Sequence, residues 1–310
     1  MNIKQLLEYG IKLLKENNID EPILKTRILL ANILNQAKEY LIVHELEGLK
    51  EELVKIFKQD IEKVCKHIPI QYITKKQEFM GLEFYVDENV LIPQPDTEIL
   101  IEEVIDLCVG VALQGDPDKN IKILDLCTGS GAIGLSIVKN IENCEVTLSD
   151  ISTDALKVAI QNYNNIVGAD DPVCPQNKKT KIIQSDLFEN IQGKFDIIVS
   201  NPPYIKSDVI KTLDEEVQNE PILALDGGTD GLDIYKKIIK QAYKFLNKDG
   251  YLCLEIGYDQ KEEVIKLIEE TNQYKDIYSK KDLAGNDRVI ICKNCQKSIE
   301  WFGKIWYYIY

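Results

Sequence analysis

Apolar positions at helical spacing dominate residues 1–74. Ile3, Leu6, Leu7, Ile11, Leu13 and Leu14 form one set, Ile28, Leu29, Leu30, Ile33 and Leu34 a second, and Leu53, Ile56, Phe57, Ile61 and Val64 a third. Asn17-Asn18 and Asp20-Glu21-Pro22 break the first from the second. So many apolar faces in a short segment must pack on something, so the pattern predicts a small N-terminal helical bundle. The period then changes. Phe79, Gly81, Phe84, Val86 and Val90-Leu91-Ile92 read as strand pieces around Met80-Gly81, which predicts a β-hairpin linker over 75–92. Thr97-Glu98 opens a helical stretch from Ile99 to Leu113, and Gly115-Asp116-Pro117-Asp118 ends it. Beyond it strands and helices alternate. The strands are expected at 121–126, 144–149, 180–185, 195–200, 250–256 and 287–292, and the helices near 131–141, 152–166, 231–246 and 258–272. This alternation implies an α/β, doubly wound, mostly parallel sheet in a domain over 93–294, whose ligands bind at the carboxyl ends of the strands.

Candidate chemistry falls at those ends. Asn201-Pro202-Pro203-Tyr204 follows the apolar run Phe195 to Ser200. The prolines fix φ and lack N–H groups, so the carbonyls ahead of them stay free to accept hydrogen bonds. With the Asn201 side-chain carbonyl and the Tyr204 ring, the segment suits a planar group bearing –NH2, either an amide or the amine of a base. An ordinary Pro-Pro loop with a packed Tyr is the plainer alternative. Ile123 to Gly134 is a strand feeding a glycine loop that opens a helix, with Cys127, Thr128, Gly129, Ser130 and Gly131 at its turn. Asp150 ends the next strand, where a carboxylate accepts ribose hydroxyls, and Ser185-Asp186-Leu187 ends the third. Gly129, Gly131 and Gly134 satisfy GxGxxG, the nicotinamide fingerprint, but Asp125 ahead of the loop disfavours a pyrophosphate. It suits a ligand with an ammonium and a sulfonium, such as S-adenosyl-L-methionine.

Composition narrows the field further. The 310 residues are 45% hydrophobic and 28% charged, an ordinary globular balance with room for two domains. The formal charge of −14 argues against a broad nucleic-acid-binding surface. Residues 1–75 hold 12 Lys/Arg against 11 Asp/Glu, so the acidic surplus lies in the remainder. His44 and His67, both N-terminal, are the only histidines, which disfavours Ser-His-Asp and multi-histidine metal chemistry. Eight scattered cysteines are expected to be mostly buried and reduced; only Cys292 and Cys295 have CxxC spacing, a weak metal signal. No apolar run reaches about 18 residues and no signal peptide is legible, so a cytoplasmic protein without membrane contact is expected.

The ordered set of motifs resembles the class I S-adenosylmethionine-dependent methyltransferases and, within them, the release-factor glutamine methyltransferases, the PrmC or HemK family. The resemblance rests on Arg27 to Leu30, Pro69 to Ile73, Phe79 to Phe84, Ile92 to Glu98, the Asp125 to Gly134 loop, Asn201 to Tyr204, Glu220-Pro221, Gly227 to Asp233 and Asn286 to Val289. It implies a seven-stranded Rossmann-like sheet and methyl transfer to the amide nitrogen of the Gln in the Gly-Gly-Gln loop of peptide-chain release factors, with S-adenosyl-L-homocysteine as product. It further implies catalytic roles for Asn201, Pro202 and Tyr204, and substrate contacts from these and Pro203. Cys127, Thr128, Gly129, Ser130, Gly131, Asp150, Asp186, Leu187 and Asn201 are expected to bind the cofactor, with no metal. The helical bundle is expected to recognise the release factor, and the chain to act as a monomer without direct nucleic-acid contact. An amino-methyltransferase acting on adenine or cytosine and a non-catalytic cofactor-binding module are the alternatives. Two positions depart from the family: Gln94 stands where Arg is usual, and Cys127 where Gly is usual. The aromatic extension 295–310 lies past the resemblance.

Overall fold

The computed structural model describes residues 1–114, 120–168 and 179–295. Its first helices are α1 (Ile3–Glu16), α2 (Pro22–Leu34), α3 (Tyr40–Val43), α4 (Glu51–Val64) and α5 (Ile70–Thr74). A capping box starts α1: Asn2 Oδ1 accepts from Gln5 N at 2.8 Å, and Gln5 Oε1 accepts from Asn2 N at 3.1 Å. Ile3, Leu6, Leu14, Leu29, Leu30, Leu41, Phe57 and Ile61 are buried together in a core of their own. Gly10 permits the close crossing of α1, α2 and α4, because a Cβ there would lie 2.9 Å from both Phe57 Cζ and Thr26 Cγ2.

Strands β1 (Gln77–Phe79) and β2 (Leu82–Phe84) pair antiparallel across Met80 (φ 51°) and Gly81 (φ 69°). Two successive positive φ values are what a tight hairpin of this hand requires. Helix α6 (Glu98–Gln114) leads into the main sheet, built from β3 (Ile121–Leu126), β4 (Cys144–Asp150), β5 (Lys179–Gln184), β6 (Phe195–Ser200), β7 (Leu246–Glu255), β8 (Tyr274–Lys281) and β9 (Asp287–Asn294). Between them lie α7 (Ala132–Asn140), α8 (Thr153–Ile166), the short α9 (Glu215–Gln218) and α10 (Ile222–Leu225), α11 (Asp233–Ala242) and α12 (Lys261–Glu270). The strand order is β5-β4-β3-β6-β7-β9-β8; β9 alone runs antiparallel to its neighbours.

Helices cover both faces of the sheet, which is why central strands read as unbroken apolar runs. Ile123, Val146, Ile197, Val199 and Cys253 pack toward α6 and α7, whereas Leu124, Leu126, Ile198, Leu252 and Leu254 pack toward α11 and α12. The expected seven-stranded, mostly parallel sheet is therefore present. Three details differ from the sequence reading. Val86 and Val90 to Ile92 lie past the hairpin and in no strand, because Val86, Val90 and Ile92 pack singly against Tyr72 and α8 instead of pairing. Strand β8, Tyr-Lys-Asp-Ile-Tyr-Ser-Lys-Lys, was not foreseen, because at the sheet edge its polar residues stay solvated and no apolar alternation survives. Helix α11 stops at Ala242 rather than near 246, since Leu246 already begins β7. Among the described residues, no helix is long and apolar enough to cross a membrane. The extension 296–310 and Cys174 lie outside the described residues.

Candidate active site

The carboxyl ends of β3, β4, β5 and β6 open into one cavity of about 370 Å³. Cys127, Gly129, Asp150, Asp186, Leu187, Asn201 and Pro203 line it, so six of the nine expected cofactor contacts come together there with Asn201 and Pro203 of the expected substrate loop, while Pro202 and Tyr204 stand outside the lining. Thr128, Ser130 and Gly131 lie beneath the wall instead. The Thr128 hydroxyl donates to Asp125 Oδ2 at 2.5 Å, Gly131 (φ 83°) starts α7, and the Ser130 carbonyl accepts from Asn162 Nδ2 at 2.9 Å. Asn162, fully buried on α8, also holds Tyr85 through N–H and C=O, locking the hairpin exit to the glycine loop.

Asp125 is turned away from the cavity. It is fully buried, its Oδ2 accepts from Thr128 and from Gly134 N at 3.0 Å, and Oδ1 has no partner. Burial pushes its carboxyl up to about 7 against those two hydrogen bonds. The carboxylate thus clamps the loop onto α7, where Gly134 is required because a Cβ would overlap Leu148. Asp150 is the carboxylate that does face the cavity. Gly129 N and Ser152 N, both at 2.9 Å, each donate to one of its oxygens and orient it. Burial raises its pKa, opposed by these backbone donors.

Cys127 adopts φ 57°, the left-handed region. The departure from Gly is therefore a strained one, and burial drives its thiol well above the usual range. A non-glycine residue in this conformation costs about 1–2 kcal/mol, offset by the roughly 0.5–1 kcal/mol that glycine loses in chain entropy. Cys127→Gly is accordingly expected to raise the unfolding free energy by up to about 1 kcal/mol, and Cys127→Val to lower it, because β-branching opposes positive φ. Urea unfolding of the two variants checks this split in sign.

Asn201 donates from Nδ2 to Thr97 Oγ1 at 3.3 Å. Among the described residues nothing donates to its Oδ1 or to the Pro202 carbonyl. Behind this mouth, Gly227 to Leu232 form a strap. Gly227 N donates to Ile205 O at 2.8 Å, Ile205 N donates to Leu225 O at 2.9 Å, and Gln260 Nε2 donates to both Tyr204 O (2.9 Å) and Gly231 O (3.2 Å). Gly227 is needed for this approach, since a Cβ would sit 2.7 Å from Tyr204 Cα. Burial and Glu255 push the Tyr204 hydroxyl up to about 12, with the nearby Arg288 charge opposing the shift.

The sequence reading did not single out Val90, Leu91, Leu223 and Ile234, which supply apolar wall, nor Lys237 and Asp226 at the rim. Their runs look like ordinary core or loop, and only the fold brings them to the strand ends. Gln94 is exposed, is not part of the cavity wall, and donates back to Ile92 O at 3.0 Å. The histidines also stand elsewhere: His44 stacks on Tyr40, and His67 Nε2 is 2.7 Å from Glu215. Among the described residues no group of three or more His, Cys, Asp or Glu is placed to hold a metal.

Comparison with known proteins agrees with this geometry. Residues 5–74 match the PrmC N-terminal domain and residues 102–217 the methyltransferase small domain. The release factor glutamine methyltransferase of Clostridium acetobutylicum is 40% identical over 295 residues, spanning 94% of this chain and 98% of the relative. That of Fusobacterium nucleatum is 38% identical, spanning 93% and 78%. The solved hMettl16 catalytic domain, in complex with MAT2A 3'UTR hairpin 1, shares the fold with a TM-score of 0.55 and 12% identity, over 87% of this chain and 92% of that one. From identity sustained over almost the whole of both sequences, with both domain profiles in order, the chain belongs to the release factor glutamine methyltransferase family.

Proposed function

We propose that this chain transfers a methyl group from S-adenosyl-L-methionine to the side-chain amide nitrogen of the glutamine in the Gly-Gly-Gln motif of peptide-chain release factors. The observation that carries the chemistry is Asn201 in the wall of the cavity that also holds Asp150, its Oδ1 and the carbonyl of the adjoining Pro202 both without a donor among the described residues. The cavity fits the methyl donor. Its volume falls within the roughly 300–1,000 Å³ usual for ligand sites, Asp150 offers an oriented carboxylate for ribose hydroxyls, and Val90, Leu91, Leu187 and Leu223 offer apolar surface for a base. When bound, the cofactor supplies an electrophilic methyl on a sulfonium.

An amide nitrogen is a weak nucleophile because its lone pair is delocalised into the carbonyl. Asn201 Oδ1 and the Pro202 carbonyl accept the two –NH2 protons, fix the amide plane and favour the positive charge that develops on nitrogen. Pro203 and Tyr204 confine that plane, and Arg288 keeps the Tyr204 ring in place. No side-chain base is needed before attack; the surplus proton leaves afterwards. The helical bundle takes the body of the release factor. Its ties to the segment after Tyr204 favour this role: Lys25 pairs with Glu216, and Asn219 Nδ2 donates to His67 O at 3.0 Å. The acidic charge and the lack of a Lys/Arg cluster beside Asn201 disfavour a nucleic-acid substrate.

Incubation with methyl-labelled cofactor tests the reading. Label is expected on a release factor, and neither on the same factor with its loop Gln changed to Ala nor on DNA. Equal labelling of the altered factor, or label on DNA, contradicts it.

A further inference from the structure

Glu255 is a buried carboxylate beside the amide receptor. It ends β7, one residue past Leu254, which pairs with Ser200, so it stands beside Asn201 in the parallel register. It is 2% exposed and its Oε2 has no hydrogen-bond partner. Thr97, buried just before α6, and Asn201 lie close enough to its carboxylate to hold its pKa down against burial. Arg288 is the nearby cation, yet its guanidinium is engaged by Asp96 and Asp282, each at 3.0 Å. A buried carboxylate without a dedicated counter-ion is costly, and a neutral or apolar side chain would serve packing better.

Its chemistry matches another task. The two ends of an asparagine amide differ little in shape, so packing alone does not decide which faces the substrate. A carboxylate only accepts. A Thr97 hydroxyl that turns its proton toward this carboxylate leaves Oγ1 to accept from Asn201 Nδ2, which stands 3.3 Å away. We propose that Glu255, acting with Thr97, is a positioning residue that locks the Asn201 amide with Nδ2 inward and Oδ1 toward the substrate nitrogen. This rests on the role given to Asn201 above.

Titration of the group would switch the device. Burial pushes Glu255 up to about 7, with Thr97, Arg288 and Asn201 opposing and Asp96 reinforcing the shift. Tyr204 also faces it, and the Tyr235 hydroxyl donates to its backbone carbonyl at 2.7 Å. Once protonated, Glu255 becomes a donor, and the acceptor-only constraint is lost. Orientation is therefore present above that pKa and fades as pH falls through it.

The test uses the full chain and Glu255→Gln, Thr97→Val and Thr97→Ser. Cofactor Kd by calorimetry is expected to stay within about threefold, while kcat on the release factor falls at least about tenfold in Glu255→Gln and Thr97→Val and recovers in Thr97→Ser. The acid limb of the kcat profile near pH 7 is expected to vanish in Glu255→Gln. Independently of turnover, the Asn201 side-chain amide protons, followed by NMR, are expected to exchange with solvent at least about tenfold faster in Glu255→Gln. Unchanged kcat and exchange in Glu255→Gln, or equal loss in all three variants with weakened cofactor binding, overturns the proposal. If the wild type methylates no release factor, the function proposed above falls, and the exchange measurement alone still decides the role of Glu255.

Discussion

Asn201→Ala is expected to lower kcat by about 10²–10³-fold, the usual cost of removing one preorganised group that stabilises developing charge, while cofactor affinity changes by less than about tenfold. The expectation follows from where the side chain stands. Asn201 touches the cavity at its edge, with its Nδ2 committed inward to Thr97 and only Oδ1 left for a substrate. Its contribution is therefore concentrated in the transition state rather than in cofactor binding. The Pro202 carbonyl remains in the variant and preserves part of the receptor. Steady-state kinetics on the release factor, together with calorimetric titration of the cofactor, separate the two effects. Abolished cofactor binding would show that the division of roles is wrong.

Asp150→Ala is expected to do the reverse. Hydrogen bonds to a charged group contribute about 1.5–3 kcal/mol each, so losing a carboxylate that accepts ribose hydroxyls should raise the cofactor Kd by about a hundredfold or more. At saturating cofactor, kcat should fall far less. Part of the loss will come from the loop, because Asp150 also anchors Gly129 N and Ser152 N. Asp150→Asn, which keeps one acceptor, should lose less affinity. Comparable kcat losses in Asp150→Ala and Asn201→Ala at saturation would remove the distinction between a cofactor wall and an amide receptor.

The sequence makes the central strands readable to the residue. Ile121–Leu126 and Phe195–Ser200 are covered on both faces, so burial imposes an apolar run with sharp ends. Gly129 and Gly131 announce the loop through a backbone need, the positive φ that both adopt. The same logic explains what was hidden. Edge strand Tyr274–Lys281 keeps its polar side chains in water and carries no such signal. Gly227 and Gly231 are required by the backbone of Tyr204, which is distant in sequence, so their purpose is invisible until the strap is folded. Asp125 advertises a ligand carboxylate but spends its charge on Thr128 and Gly134. Glu255, read along the chain, is only the polar end of an apolar strand. Its meaning comes from the register that sets β7 beside β6.

In the proposed reaction Asn201 Oδ1 and the Pro202 carbonyl together receive the amide –NH2 of a release-factor glutamine. A structure of this chain with S-adenosyl-L-homocysteine and a release factor bound decides whether they do. The Gly-Gly-Gln side-chain nitrogen is expected within hydrogen-bond reach, about 2.7–3.2 Å, of both acceptors, with Asn201 Nδ2 still on Thr97. A glutamine amide bound elsewhere, or Asn201 presenting Nδ2 to it, would show that these two oxygens are not its receptor.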